Sequence, residues 1–327
     1  MKVSSPDKLL FPADETNDNG ITKAEVVAHY ESVAPIMLDF LRGRPLTLQR
    51  FPSGIDAKGF MQKNAAKHFP DSIRRLPVPK RGGGETVYPV VDQADDIAYL
   101  ANQNTITFHM WTSSADRPGQ PDWMVIDLDP EGGDTDGARK ATTAVAEILD
   151  RFEVSSTILA TGSKGFHLWV PLDGAAGFDD VSQVSRAIAG LAVAENPDDL
   201  TTEFLKKNRH GRVFVDWLRN GPTATVVVPF SLRPRPSAPV ATLLARSELS
   251  ATAPDAWNIA NLGSRLQTTP VASFPAEPQA LPVAEIIDAA CAADVDLETP
   301  HDRFGRSTYL NTGQSPQSRF QLCWRAT

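Results

Sequence analysis

Pro121-Asp122-Trp123-Met124-Val125-Ile126-Asp127-Leu128-Asp129-Pro130 is the stretch on which the reading of this chain turns. Its centre, Met124 to Leu128, is an apolar run carrying a carboxylate at Asp127, and a second carboxylate follows at Asp129. As a β-strand the run alternates faces. Asp127 and Asp129 then project together, while Ile126 and Leu128 enter a core on the other side. Two carboxylates side by side on a rigid element make a poor core and a good clamp for a divalent cation. An Asp-x-Asp pair also arises by chance on the solvated face of an edge strand. The neighbouring segments separate these readings.

Just upstream, Thr105 to Trp111 alternates as a strand, with Thr105, Thr107, His109 and Trp111 on one face. A lone histidine is commonly structural, but its place one strand before the aspartates favours function. Downstream, an acidic turn leads to an amphipathic helix over 137–152, with Ala141, Val145, Ile148 and Leu149 inward. A strand over 156–160 precedes the loop Thr161-Gly162-Ser163-Lys164-Gly165-Phe166. Small residues there let the backbone approach a ligand, its amides suit an anion nest, and Lys164 adds charge. The Walker order of glycines and lysine is absent. A strand then resumes at His167, and 181–194 is a second amphipathic helix.

Residues 204–219 are locally basic, and within them Val213 to Leu218 reads as a buried strand carrying Asp216. A buried carboxylate without a partner is expensive. Asp216 is therefore a third ligand for the cation, or it is ion-paired to Arg212 or Arg219. A strand over 225–228 is followed by the proline-separated Arg233 and Arg235, whose forks match phosphate oxygens.

Toward the N-terminus, Thr22-Lys23-Ala24-Glu25 reads as a capping box opening a helix to about residue 40 or 41. Lys8 and Lys23 flank a polar loop over 13–20, and locally they read as surface lysines. Residues 44–51 and 60–63 predict a hairpin through Pro52-Ser53-Gly54. Phe51, Phe60 and Met61 are core, or with Arg50, Lys58 and Lys63 they form a surface for stacked bases and phosphates. The basic, glycine-rich stretch 74–84 predicts a mobile loop facing a polyanion. A strand and a short helix follow over 88–100. Residues 284–293 predict a helix, and 298–327 show no periodicity and predict loose packing or disorder.

The 327 residues hold one large or two ordinary domains. Hydrophobic content of 41% and charged content of 22% fit a soluble globular protein. No run reaches the roughly 18 apolar residues of a membrane helix, and no apolar signal segment opens the chain. Two cysteines, Cys291 and Cys323, argue against a disulfide framework or cysteine zinc site and for a reducing cytoplasm. A net charge of −8 argues against non-specific coating of nucleic acid but allows a local basic groove.

The ordered set of motifs resembles the archaeo-eukaryotic primase superfamily, and within it the bacterial end-joining primase-polymerases, LigD polymerase domains and their stand-alone gap-filling relatives. The resemblance spans most of residues 6–250. It is carried by Lys8-Leu9-Leu10-Phe11-Pro12, Ile21-Thr22-Lys23, Arg42-Gly43-Arg44-Pro45-Leu46-Thr47, Arg50-Phe51-Pro52-x-Gly54, Asp127-Leu128-Asp129-Pro130, Gly162-Ser163-Lys164-Gly165-Phe166-His167 and Val213-Phe214-Val215-Asp216-Trp217. It implies an α+β fold whose catalytic core has two β-sheets flanked by helices, with an RRM-like active-site sheet and a small N-terminal α/β segment. The implied division is a primase-polymerase domain over 1–250 (a DNA and 5′-phosphate part over 1–85, a catalytic core over 86–250) and a partly irregular extension over 251–327. No Lys-x-Asp-Gly ligase motif or histidine-rich phosphoesterase is read in the sequence.

The resemblance implies that Asp127, Asp129 and Asp216 hold two divalent cations, Mn2+ or Mg2+, for nucleotidyl transfer from NTP or dNTP. It assigns His109, Thr161, Ser163, Lys164, Arg219 and Arg233 to the nucleotide. Lys8 and Lys23 fall to a DNA 5′-phosphate, and Arg50, Phe51, Phe60, Met61 and Lys63 to template and primer. Arg209 matches a mobile-loop arginine. Thr161 stands where the family usually has serine, and Met61 where a second phenylalanine often sits. The implied function is filling of short gaps or break ends in DNA repair by a monomer. Its implied partners are gapped or broken duplex DNA, with Ku, a DNA ligase or excision-repair factors. Two alternatives remain at this point: a non-catalytic DNA-end-binding module, and a primase making primers de novo.

Overall fold

The decisive stretch forms a strand in the interior of a sheet. The computed structural model describes residues 2–13, 15, 18–80, 82–268 and 277–297, so the expectation for 298–327 lies outside the described residues. In chain order, β1 (Leu9–Phe11) and β2 (Ile21–Thr22) pair antiparallel and lead into α1 (Lys23–Leu41). The capping box is present: the Thr22 side chain accepts from the Glu25 N–H, and Glu25 Oε2 accepts from the Thr22 N–H at 2.7 Å. Such a cap contributes about 1 kcal/mol.

The chain continues through β3 (Leu46–Arg50), β4 (Phe60–Gln62), β5 (Arg74–Pro79), β6 (Glu85–Val90), α2 (Ala94–Asn102) and β7 (Thr105–Trp111). The predicted hairpin is β3–β4, paired antiparallel with Arg50 opposite Phe60. The predicted mobile loop over 74–84 is corrected. Arg74 to Pro79 pairs residue for residue with Glu85 to Val90, so most of the basic stretch is one arm of a β-hairpin. The alternation of Leu76 and Val78 with polar or proline positions was the strand signal that basic charge obscured. Arg74 ties the base of this hairpin to Asp92 at 2.5 Å and to Asp116 at 3.5 Å.

The second half adds β8 (Trp123–Asp129), α3 (Thr135–Arg151), β9 (Thr157–Ala160), β10 (Phe166–Pro171), α4 (Phe178–Glu195), β11 (Leu200–Thr201) and β12 (Val213–Asp216). It ends with β13 (Thr225–Val227), β14 (Thr242–Leu244), α5 (Leu262–Thr268) and α6 (Val283–Ala292). Two larger sheets result. One has six strands in the order β11-β12-β8-β10-β9-β14, the other four in the order β13-β7-β3-β4. The fold is α+β, as the sequence implied.

Strand alternation divides the interior into two cores. Met124, Ile126 and Leu128 of β8 join Leu168 and Val170 of β10 and Val213 and Val215 of β12 in a core shared with α3 and α4. The opposite face of the same sheet sends Trp123, Val125, Leu159 and Trp169 into a core with α1 and the four-stranded sheet. There Phe40 of α1 lies 6.2 Å from Trp123 and 6.3 Å from Trp169 between ring centroids. Asp127 and Asp129 continue the face of Trp123 and Val125 past the edge of this core. The core therefore rigidifies one end of the strand, and the carboxylates occupy the other.

Candidate active site

Register brings the polar residues together. On the six-stranded sheet Asp216 of β12 is opposite Asp127 of β8, which is opposite His167 of β10. Residues directly opposite share a face, so these three side chains form one row, with Asp129 two positions along and Phe214 opposite it. A residue that sequence reading missed holds this row in place. Asn220, fully buried, accepts the Val125 N–H at 2.8 Å and donates to the Val125 carbonyl at 2.7 Å, prolonging the β12 edge beyond Asp216. The chain turns sharply after Asp216 through a 3-10 turn at Leu218–Asn220, which shortens the strand expected to reach Leu218.

Of the alternatives open for Asp216, the structure shows the ion pair with Arg219. Arg219 Nε lies 3.1 Å from Asp216 Oδ2, and its Nη2 lies 3.6 Å from Asp127 Oδ2. Arg212 instead donates to backbone carbonyls, that of Arg209 among them. Arg209 is buried: its Nη1 donates to Asp129 Oδ2 at 3.1 Å, and its guanidinium lies 4.1 Å from the Phe214 ring centroid. The carbonyls of Glu203 and Phe204 take its other donors. His167 Nε2 is 3.4 Å from Asp127 Oδ1, and its Nδ1 is buried without a hydrogen-bond partner.

Burial pushes the Asp216 carboxyl up to about 6, against the opposing charge of Arg219 and with the help of the Asp127 charge. Asp127 is also pushed up by burial, but His167, Arg219 and Arg233 outweigh that and hold it below the usual carboxylate range. Burial pushes His109 down to about 3, helped by Arg233, Arg219 and His167, so its imidazole is neutral at pH near 7. A carboxyl raised on folding opposes folding once ionised, so the Asp216 cost is absent below about pH 4 and complete above about pH 6. The rise from 3.8 to about 6 corresponds to about 3 kcal/mol at most. Asp216→Asn is therefore expected to gain stability relative to wild type as pH rises from about 4 to about 7. Urea unfolding in chelator across that range checks this, and a pH-independent difference refutes it.

The nucleotide-binding assignments converge on the same place. Thr161 is buried, and its hydroxyl donates to the Gly165 carbonyl at 2.7 Å. The Thr161 and Gly162 amides are taken by Gly165 and Pro254 carbonyls, which narrows the expected anion nest to the rest of the loop. Ser163 is half-buried and Lys164 exposed. Arg233 Nη1 donates to the Thr161 carbonyl at 3.1 Å, and Arg235 Nη1 to Ser163 Oγ at 3.2 Å. Tyr30 of α1 aligns Arg233: its hydroxyl accepts the Leu232 N–H at 2.9 Å and donates to Ile106 O at 2.5 Å. Thr107 adds a bond to Leu232 O at 2.7 Å. This long-range clamp was outside the sequence-based site, because nothing local marks Tyr30 as more than core.

A second cluster is basic. Lys8 Nζ donates to the Pro52 carbonyl, and Lys23 Nζ to Ser4 Oγ at 2.6 Å. Burial lowers the Lys23 ammonium pKa, with Lys8 and Arg50 next in effect, so these three cations share one locality. Arg50 donates to the Gln103 carbonyl at 2.7 Å and to Gln62 Oε1 at 2.5 Å. The structure thus groups Arg50 with Lys8 and Lys23. Gly54, at φ +86°, lets the turn lie against Leu9 and Leu10. Phe60 and Met61 are 47% and 48% exposed, whereas Phe51 is buried in the core. Lys63 is exposed beside them.

Three aspartates on adjacent strands supply hard oxygen donors suited to Mg2+ or Mn2+ in kind. Among the described residues, no three His, Cys, Asp or Glu side chains close around one ion-sized point. The carboxylates are drawn instead to Arg209 and Arg219.

Comparison with known proteins agrees with this fold. A family model described as "LigD, primase-polymerase domain" matches residues 22–272. The multifunctional non-homologous end joining DNA repair protein LigD of Mycobacterium tuberculosis is 33% identical over 242 residues, 71% of this chain and 31% of that protein. The bifunctional LigD of Bacillus subtilis is 29% identical over 294 residues, 88% of this chain and 46% of that protein. The chain thus spans from about a third to about half of these relatives' length. The solved polymerase domain of Mycobacterium tuberculosis Ligase D in complex with DNA superposes with a TM-score of 0.74 at 29% identity, covering 82% of this chain and 94% of that one. With its carboxylate row, glycine-lysine loop and paired arginines on that fold, the chain belongs to the LigD primase-polymerase domain family, nucleotidyltransferases of DNA repair that use divalent metals.

Proposed function

We propose that the chain is a template-dependent polymerase that fills short gaps or break ends in DNA, transferring nucleotides from NTP or dNTP to a primer 3′-hydroxyl. The observation that carries this reading is the row Asp216–Asp127 with Asp129 alongside, close enough to Arg233 for its charge to act on Asp127, while Arg233 holds the Thr161 carbonyl of the glycine-lysine loop. The named relatives act in end joining, which supports the repair context. On this reading the three aspartates would hold two divalent cations, Mn2+ or Mg2+, which when bound activate the attacking hydroxyl and offset charge on the leaving pyrophosphate.

The chain's own groups do the rest. Ser163, Lys164 and Arg233 grip the triphosphate through charge-assisted bonds. Thr161 shapes their loop, its hydroxyl being committed to Gly165. His109, kept neutral, offers the sugar or phosphates a hydrogen bond without adding charge. Arg219 meets the developing phosphoryl charge, and buried Arg209 orients Asp129. Phe60 and Met61 give a stacking surface for template bases, with Lys63 on the backbone. Phe51 supports the hairpin from within. Residues 1–250 act as the polymerase domain and 251–327 as an extension. A monomer working in the cytoplasm with Ku, a DNA ligase or excision factors is the setting we infer. Among the described residues no helix is long and apolar enough to cross a membrane.

The test is primer extension on gapped duplexes of varied gap length, with and without 5′-phosphate, supplying NTPs and dNTPs in parallel with Mn2+ or Mg2+. Absence of templated extension in every arm overturns the reading. The basic cluster makes a separate prediction. Three cations sharing one site suit a terminal phosphate. Lys8→Ala with Lys23→Ala is expected to weaken binding to 5′-phosphorylated gaps by about tenfold or more, while gaps ending in 5′-hydroxyl bind as before. Fluorescence anisotropy reads both, and equal affinity of wild type and variant for the phosphorylated gap removes the assignment.

A further inference from the structure

Arg219 takes the oxygens that a cation between Asp127 and Asp216 needs. Asp216 Oδ1 accepts the Leu218 N–H at 2.9 Å, and Asp127 Oδ1 faces His167. On each carboxylate the other oxygen, Oδ2, is the one that Arg219 meets, at 3.1 Å on Asp216 and 3.6 Å on Asp127. A guanidinium keeps its charge in proteins, so it opposes a divalent ion there by occupancy and by repulsion.

The two arginines of the site differ in how firmly they are held. Arg209 is only 5% exposed at its side chain and is anchored by two carbonyls and the Phe214 ring. The Arg219 side chain is 46% exposed, and among the described residues its ion-pair partners are the two carboxylates. It sits in the middle of the 3-10 turn Leu218–Asn220, and, unlike Arg209, its guanidinium is anchored by no backbone carbonyl among the described residues, so its departure breaks only the two carboxylate pairs.

We propose that Arg219 is a displaceable surrogate for the cation: it sets the affinity of Asp127 and Asp216 for divalent ions and couples that affinity to the nucleotide. An incoming triphosphate offers the guanidinium a more highly charged, bidentate partner. Its departure uncovers both Oδ2 atoms, so cation and triphosphate assist one another's binding, and by linkage the assistance is reciprocal. This inference rests on the reading of Asp127, Asp129 and Asp216 as cation ligands.

The experiment titrates Mn2+ alone into the full chain and follows free Mn2+ by electron paramagnetic resonance, with folding checked by circular dichroism. Arg219→Gln is expected to bind Mn2+ about tenfold more tightly than wild type. Arg219→Lys, which keeps the charge but loses the fork, is expected to fall between them. With a non-hydrolysable triphosphate at one fixed concentration, whose own chelation is common to all variants, the difference should shrink to within about threefold. Unchanged or weaker Mn2+ binding by Arg219→Gln overturns the surrogate. A lysine variant indistinguishable from wild type shows long-range charge and overturns direct occupancy. A gap that persists with triphosphate overturns the coupling. The underlying reading fails separately: if Asp127→Asn with Asp216→Asn binds Mn2+ as wild type does, the ions lie elsewhere.

Discussion

An Asp127→Ala, Asp129→Ala double variant is expected to lose templated primer extension by at least about a thousandfold, to the background of a gel assay. Both residues lie on β8 beyond its packed half, so the substitutions remove donors without touching either core. The fold has reasons to survive. Arg209 loses its pairing with Asp129 but keeps its bonds to the Glu203 and Phe204 carbonyls and its place over Phe214, so its guanidinium stays largely hydrogen-bonded. Asn220 still clamps Val125 from the side. Binding of 5′-phosphorylated gaps, through a cluster elsewhere on the chain, should persist and serves as the folding control. Extension at the wild-type rate by this variant would sink the assignment of these aspartates.

Gly165→Ala is the substitution with the largest expected effect on stability. A Cβ at this position would sit 1.9 Å from the backbone carbonyl oxygen of Leu128, and no side chain can yield to relieve that contact. Gly165 is the last residue before β10, at the point where that strand meets β8, and Phe166 pairs with Leu128 immediately after it. Relief therefore requires the two central strands to part where they carry Asp127 and His167. Overpacking of a core costs about 1–3 kcal/mol, and a backbone clash of this depth should cost about 3 kcal/mol or more. Urea unfolding should show it as a lower midpoint, or expression should yield insoluble protein. Stability within about 0.5 kcal/mol of wild type would mean that the strands are not so closely apposed. The same displacement would swing the Thr161–Lys164 loop, whose geometry depends on the Gly165 carbonyl through both the Thr161 amide and hydroxyl.

Much of this architecture is local and therefore legible in the chain. Period-2 alternation placed β7 from Thr105 to Trp111 and put Asp127 and Asp129 on one face, with Ile126 and Leu128 in a core behind them. The capping box marked the start of α1, because the bonds that satisfy its first amides lie within four residues. The three aspartates, the glycine-lysine loop and Arg233 were each recognisable as residue types in order. Local patterns misled where composition masked period: the basic stretch over 74–84 looked mobile and is largely a strand.

Tertiary structure alone decided what depends on pairing between distant segments. The register of β12, β8 and β10 made one row of Asp216, Asp127 and His167, and a slip of one residue would turn each to the opposite face. Arg50 joined Lys8 and Lys23 because the Pro52–Gly54 turn folds onto β1. Tyr30 reached across about 200 residues of sequence to align Arg233, since helix packing sets that contact. The Asp127-x-Asp129 pair was thus determined by sequence as two carboxylates on one face. Its closure by Arg209 and Arg219 was determined by the fold, because charges far apart in the chain are balanced only once the strands between them are paired.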